Sequence, residues 1–429
     1  VQKHSNADKL QVAKCFGNQI VVSLDYKEND LGIYFPSGGK LGKEFAEANN
    51  LLRKKDENGN NVGGFIDPDK RNVRAIRLRG EASDGLFLPI SCLDKFTNTS
   101  KLKEGETITV LNGTVICEKY IPKRKSGGGK GGSSSASQKK KELLTTKYPY
   151  FEEHIDTKQL MYYLGEFNPG DICTITLKLH GTSARTSNTL CKEESKKTLL
   201  QRITRKPAET KTSWGRVSGS RRVTLDFDGI DSPSDGYYGN NEFRKRWHDE
   251  MAYKLHKGEE IFYEIVGYVD KDTLIMPQGK NSKIGDPEFI KQYGEITEFT
   301  YGCEPGWSDV WVYRMTKTDE DGRTVEYPDW YMRMRCEQMG LKCVPKFDEF
   351  IYTTQEDLLE RVNKYVDGPD PIGQTHIREG VVIRIQNREK FKAFKIKNFS
   401  FKCISGIALE NIIDNGTCDN VDVDLIEEM

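Results

Sequence analysis

Asp171-Ile172-Cys173-Thr174-Ile175-Thr176-Leu177-Lys178-Leu179-His180-Gly181-Thr182-Ser183 reads as a strand that ends on a lysine. Alternation puts Cys173, Ile175 and Leu177 on one face and Thr174, Thr176 and Lys178 on the other. The lysine therefore leaves a polar strand face just before the glycine turn at Gly181. Alone, such a lysine is an ordinary surface residue. Three later segments change its weight. Tyr263-Glu264-Ile265-Val266-Gly267 sets a carboxylate in a strand apolar enough for a core, and Glu379-Gly380-Val381-Val382-Ile383-Arg384 does so again. Phe394-Lys395-Ile396-Lys397-Asn398 carries two lysines two apart, hence on one face. Charges on buried strands are costly unless paired or used. One such segment would be a sheet edge with solvated charges; the four together point to a site.

Working outward, the 429-residue chain is too long for one ordinary core. Lys+Arg and Asp+Glu balance at 65 each, so net charge gives no hint of an anionic partner and only local clusters can. No apolar run of about 18 residues exists, so no membrane span is expected. The chain opens Val1-Gln2-Lys3-His4 with no signal peptide pattern, and without a Met it reads as a cropped start. The ten cysteines form no Cys-x-x-Cys pair, which suits reduced thiols in a cytoplasmic setting. A zinc site on Cys336 and Cys343 is poorly spaced and has no His nearby.

The clearest boundary is the Gly/Ser stretch 122–141, a flexible basic linker with six Lys and one Arg. Its coil would span roughly 25 Å. Before it, short strands such as Gln19 to Leu24 and Arg74 to Arg79 alternate with turns at Pro36-Ser37-Gly38-Gly39, Asn58-Gly59 and Asn112-Gly113. These predict a small β-barrel over 1–121 with one helix, Glu44 to Leu52. After it, residues 142–410 carry strands at Ile172 to Leu179, Ile261 to Val266, Val310 to Met315, Gly380 to Ile385 and Phe391 to Lys397. Helices are expected at Glu288 to Tyr293 and Gln355 to Val366. Few helices between paired strands argue for α+β. Residues 411–429 read as an acidic tail. The insertion Lys196 to Arg222 holds nine basic residues, one acid and Trp214, a composition that suits either a solvated loop or a nucleic-acid surface.

In order, Lys178-Leu179-His180-Gly181, the Glu264 strand, Trp311-Val312-Tyr313-Arg314-Met315, the Glu379 strand and Lys395-Ile396-Lys397 resemble nucleotidyltransferase motifs I, III, IIIa, IV and V. These belong to polynucleotide ligases and mRNA capping enzymes. His180 in place of the usual Asp is similar to RNA ligases. The opening His4-Ser5-Asn6-Ala7-Asp8-Lys9-Leu10-Gln11-Val12 and Arg77-Leu78-Arg79-Gly80-Glu81-Ala82-Ser83-Asp84-Gly85-Leu86 resemble tRNA-binding-type OB domains. An OB domain before the catalytic domain, with only 32 residues after Lys397, matches the ATP-dependent RNA ligase family with an N-terminal OB fold. DNA ligase, mRNA guanylyltransferase and a decayed, RNA-binding ligase domain are the rivals.

The resemblance implies an N-terminal OB-fold β-barrel joined by the linker to an ATP-grasp-like antiparallel-sheet nucleotidyltransferase domain. It implies that Lys178 takes AMP from ATP as lysyl-AMP, with Mg²⁺ or Mn²⁺. Glu264 would hold the ribose, Glu379 the metal or its water shell, and Tyr313 the adenine. His180 would sit beside the phosphates, and Lys395 and Lys397 would neutralise them. Arg221 resembles the motif Ia arginine, with Arg222 a competitor; Leu177, Gly181 and Ser183 complete the expected nucleotide contacts. Ser183 departs from the Asn of some RNA ligases, and Arg185 has no place in the pattern. The expected partner is RNA, or an RNA/DNA duplex, with a nick bearing a 3′-OH RNA end. A monomer is expected, and a phage source suits as well as a cellular one.

Overall fold

The computed structural model describes residues 1–54, 56–57, 62–120, 143–194, 210–229, 238–284 and 286–405. The linker 122–141, the Asn58-Gly59 turn, residues 195–209 of the basic insertion and the acidic tail 411–429 lie outside them. The chain divides into two compact units that are not contiguous in sequence. One holds Val1–Lys125, Gly279–Thr297 and Asn398–Met429; the other holds Ser126–Gln278 and Glu298–Lys397.

In the first unit Gln2–Lys3, Leu10–Cys15 and Asn18–Ser23 form an antiparallel sheet. The hairpin turns on Phe16 and Gly17, both at positive φ (47° and 73°), as a tight two-residue connection demands. Its remaining strands pair in twos, among them Gly32–Phe35 with Leu86–Pro89 and Ala75–Leu78 with Glu81–Asp84. Phe35, Leu41, Phe45, Leu93 and Ile116 bury the core. Among the described residues these ladders do not close into the expected barrel. The helix expected from Glu44 to Leu52 spans only Lys43–Ala48. Asn50 turns left-handed (φ 51°), and Leu52 then pairs with Ile66 as an isolated bridge. Arg77 pairs with Asp286 at 3.3 Å and Lys402 with Asp84, so the two later segments are tied to the N-terminal strands.

The second unit is α+β, as expected. Its strands are β1 (Lys158–Gln159), β2 (Ile172–Lys178), β3 (Thr182–Glu194), β4 (Thr210–Ser220), β5 (Thr224–Leu225), β6 (Glu259–Gly267), β7 (Ser308–Thr318), β8 (Thr324–Glu326), β9 (Lys346–Ile351), β10 (Gly380–Ile385) and β11 (Lys392–Lys397). They form a five-stranded sheet in the order β1-β11-β10-β2-β9 and a six-stranded sheet in the order β5-β4-β3-β6-β7-β8. Three helices matter here: α1 (Glu242–Met251), α2 (Asp329–Met339) and α3 (Gln355–Val366). Thr354 caps α3 by accepting the Asp357 N–H at 3.2 Å. Leu358 and Val362 of α3 join Cys173, Ile175, Val381, Ile383 and Phe394 in one core.

The face of β2 expected to be polar is not a solvent face. Thr174 is 1% exposed and Lys178 is 7% exposed. Period two sorts side chains between faces, but whether a face meets water is decided by what packs on it.

Candidate functional site

Strand register assembles the site. Lys178 at the end of β2 stands opposite Gly380 on β10, and Gly380 stands opposite Lys397 on β11. The two lysines thus flank a residue with no side chain, in one cross-strand row. A Cβ on Gly380 would lie 2.1 Å from the Ile396 carbonyl oxygen, so no larger residue fits. Glu379, one residue earlier, fills the gap. Its Oε1 lies 2.9 Å from Lys178 Nζ and 3.0 Å from Lys397 Nζ. Glu379 is fully buried, and Lys395, on the Lys397 face by alternation, is buried as well. A buried carboxylate between two ammonium groups satisfies the charge rule that made these strands suspicious.

The chain beyond Lys178 is held on several sides. The His180 backbone N–H donates to the Tyr301 hydroxyl at 2.7 Å. The His180 Nδ1 is 3.9 Å from Glu379 Oε2, and its ring meets Phe299 edge-on at 4.8 Å. Gly181 packs against β6, where a Cβ would come within 2.3 Å of the Ile265 oxygen. Thr182 and Ser183 then open β3 opposite Ile265 and Glu264. Ser183 Oγ donates to Glu264 Oε2 at 3.1 Å. Arg244 of α1, itself buried, donates to Thr182 Oγ1 at 2.7 Å and to the Ser183 carbonyl at 3.3 Å.

Tyr313 on β7 sets its phenol beside Ser183 and Glu264. Burial pushes its pKa up, and the nearby Glu264 charge adds to that. Its hydroxyl lies 3.2 Å from His154 Nδ1. Arg221 is buried and pairs with Asp156, while Arg222 is exposed. The Leu177 side chain lies in the core, and its N–H donates to the Pro345 carbonyl at 2.9 Å. Lys178, His180, Gly181, Ser183, Glu264, Glu379 and Lys397 are thus brought together. Tyr313 and Arg221 join them through the Glu264 side.

Several of these side chains carried no sequence signal. Tyr301, Arg244, His154 and Asp156 sit in segments without charge-on-strand patterns. Arg185, which the motifs left unplaced, is 2% exposed. Its Nε donates to the Ser220 carbonyl at 3.0 Å, and its guanidinium lies 4.1 Å over the Phe151 ring. It therefore anchors both the residue before Arg221 and the segment leading to His154.

No group of three or more His, Cys, Asp and Glu able to hold a metal occurs among the described residues. Glu379 is a single buried carboxylate, and one carboxylate completed by phosphate and water oxygens suits Mg²⁺-type binding. The nine described cysteines are all unbridged. No described helix is long and apolar enough to cross a membrane.

The RNA ligase family matches residues 171–404, more than half of the chain, and the protein belongs to that family. No curated protein matches it. Among solved structures it is similar to a Naegleria gruberi RNA ligase mutant with ATP and Mn (TM-score 0.53, 17% identity, 96% of each chain). It is also similar to Naegleria gruberi RNA ligase with PPi (TM-score 0.53, 18% identity, 96% of each chain). A mutant of that ligase with AMP and Mn gives a TM-score of 0.52 at 17% identity, over 96% of this chain and 95% of that one. At such identities the likeness is one of fold.

Proposed function

We propose that the protein is an ATP-dependent RNA ligase with Lys178 as nucleophile. The observation that carries this reading is the cross-strand row in which Lys178 and Lys397 share the buried Glu379 carboxylate, inside the segment the RNA ligase family matches. The fold shared with a ligase solved with ATP, AMP, PPi and Mn supports the choice of co-substrate.

In the first step the neutral Lys178 amine attacks the α-phosphorus of ATP. An N–P bond forms, the bond to the bridging oxygen breaks, pyrophosphate leaves with the electron pair, and the nitrogen gives up a proton. The opposite charge of Glu379 favours the ammonium form of Lys178. A divalent metal held by Glu379 would supply charge neutralisation for the triphosphate. Lys397 and Lys395 meet the charge that moves onto the leaving oxygens. Glu264, set by Ser183, holds the ribose, while Tyr313 and Arg221 complete the nucleoside side. AMP then passes to an RNA 5′-phosphate, and a 3′-OH displaces it to seal the strand.

The finer assignments rest on the same reading. Residues 1–121 serve as an OB-type nucleic-acid module, and the substrate is a nick with an RNA 3′-OH, as in RNA repair. The described part of the basic insertion is β4 and the two arginines after it, with Arg216 over the Tyr253 ring at 4.1 Å and Lys257 5.8 Å from the Trp214 ring. Such basic and aromatic pairs suit contact with an RNA strand.

The test is incubation with α-labelled ATP or GTP and Mg²⁺ or Mn²⁺, for the native chain and for Lys178→Ala. Covalent label from ATP only, lost in the variant, is expected. Label from GTP, or label that survives the substitution, refutes the assignment.

A further inference from the structure

The turn after Lys178 has to present its amine to phosphorus within a few tenths of an ångström, because a misplacement of about 1 Å costs on the order of 10² in rate. β2 ends at Lys178, so the sheet ladder no longer fixes the residues that follow. His180 is 3% exposed. A backbone N–H in such a place needs a partner. That partner comes from a distant segment: the Tyr301 hydroxyl accepts the His180 N–H at 2.7 Å.

Tyr301 is built to stay where it is. It is 4% exposed, and its backbone is left-handed at φ 53°, a conformation costly for a bulky residue. Neighbouring packing holds that strain in place. The Tyr301 ring meets His376 edge-on at 4.5 Å, and Phe299 meets His376 at 5.2 Å and His180 at 4.8 Å. His376 is fixed in turn by Nδ1, 2.8 Å from the Ile377 carbonyl. The next backbone is equally close-set: a Cβ on Gly373 would lie 2.4 Å from the Gly302 nitrogen. Burial, reinforced by the Glu379 charge, holds the phenol well above its ordinary pKa, so it stays neutral. Strain kept by surrounding structure at a site is a pointer to function.

We propose that Tyr301 is a positioning residue for the nucleophile: its hydroxyl, by holding the His180 N–H, fixes the turn that aims the Lys178 amine. It touches no reacting atom; it acts through the main chain. The inference rests on the ligase reading above and adds to it a residue that the motif pattern does not contain.

Tyr301→Phe tests it, since the ring and its packing remain and only the acceptor goes. In the full chain, lysyl-AMP formation at saturating α-labelled ATP should slow on the order of 10², with the KM for ATP within about twofold of native. Sealing of a nicked duplex supplied already adenylylated should stay within about threefold of native, because the 3′-OH and not Lys178 is the nucleophile in that step. Unchanged labelling overturns the proposal. So does an equal loss in both assays, which would mean general damage to the fold. No labelling of the native protein overturns the ligase reading and the inference with it, and is told apart by the native control.

Discussion

Glu260 on β6 offers a test that needs no substrate. It is 1% exposed, opposite Ser187 of β3 and Thr316 of β7. Its Oε2 accepts the Glu152 N–H at 3.2 Å. Burial pushes its pKa up to about 8, and Arg185 and Arg314 pull it down only in part. The native carboxyl is therefore protonated near neutrality, whereas the unfolded one, near 4.5, is ionised. Between those values the native state binds more protons, so stability is fully present below the unfolded pKa and is lost as pH rises through the folded one. At 1.36 kcal/mol per tenfold, the span from 4.5 to about 8 gives roughly 5 kcal/mol in all. About 3 kcal/mol of it falls between roughly pH 5.5 and 8.5. Glu260→Gln keeps the shape and removes the titration. Urea unfolding followed by circular dichroism should show the native chain losing about 3 kcal/mol more than the variant over that interval. Parallel pH profiles for the two proteins would refute this account of the carboxyl, and a native chain that gains stability on the alkaline side would reverse its sign.

Two further substitutions probe the site itself. Lys397→Met removes one of the two cations on Glu379 Oε1 and should slow lysyl-AMP formation on the order of 10², read by single-turnover labelling; a loss under threefold would place the phosphate charge elsewhere. Gly181→Ala puts a methyl 2.3 Å from the Ile265 carbonyl oxygen and 2.9 Å from Glu264 Cγ. It should lower stability by about 1–3 kcal/mol and abolish most labelling, and a variant with native melting and native labelling would show that the turn has room to give.

Much of the strand set that carries the candidate site was legible because each piece is local. A lysine at a strand end, a carboxylate amid Tyr263, Ile265 and Val266, and two lysines in alternation are patterns within about six residues. The structure finds all of them on or beside strands and largely buried. Helix α3 was legible at its stated bounds because Thr354 caps it and apolar residues recur at helical spacing. Helix α2 was not. Its buried positions include Asp329 and Arg335 as well as Met332, Cys336 and Met339, so no apolar stripe marks it. Arg335 is buried with its donors met by Glu259, on β6, at 3.0 Å and by the Lys254 carbonyl at 2.7 Å. The short helix after Gly42 failed in the other direction. Its sequence pattern ran on to Leu52, but pairing with Ile66 pulled that residue out of the helical path.

Sequence by itself therefore singled out Lys178, Glu264, Glu379, Lys395 and Lys397, with alternation fixing the polar face for Lys178 and one shared face for Lys395 and Lys397. Tertiary structure decided how they meet. Register alone puts Lys178 and Lys397 on either side of Gly380, and that gap lets Glu379 reach both. Packing alone buried the polar face of β2 and brought Tyr301 and Arg244 to the turn beyond Lys178. The physical reason is range. Periodicity records what a strand presents to its two faces; it holds nothing about which distant side chain will fill the space in front of them.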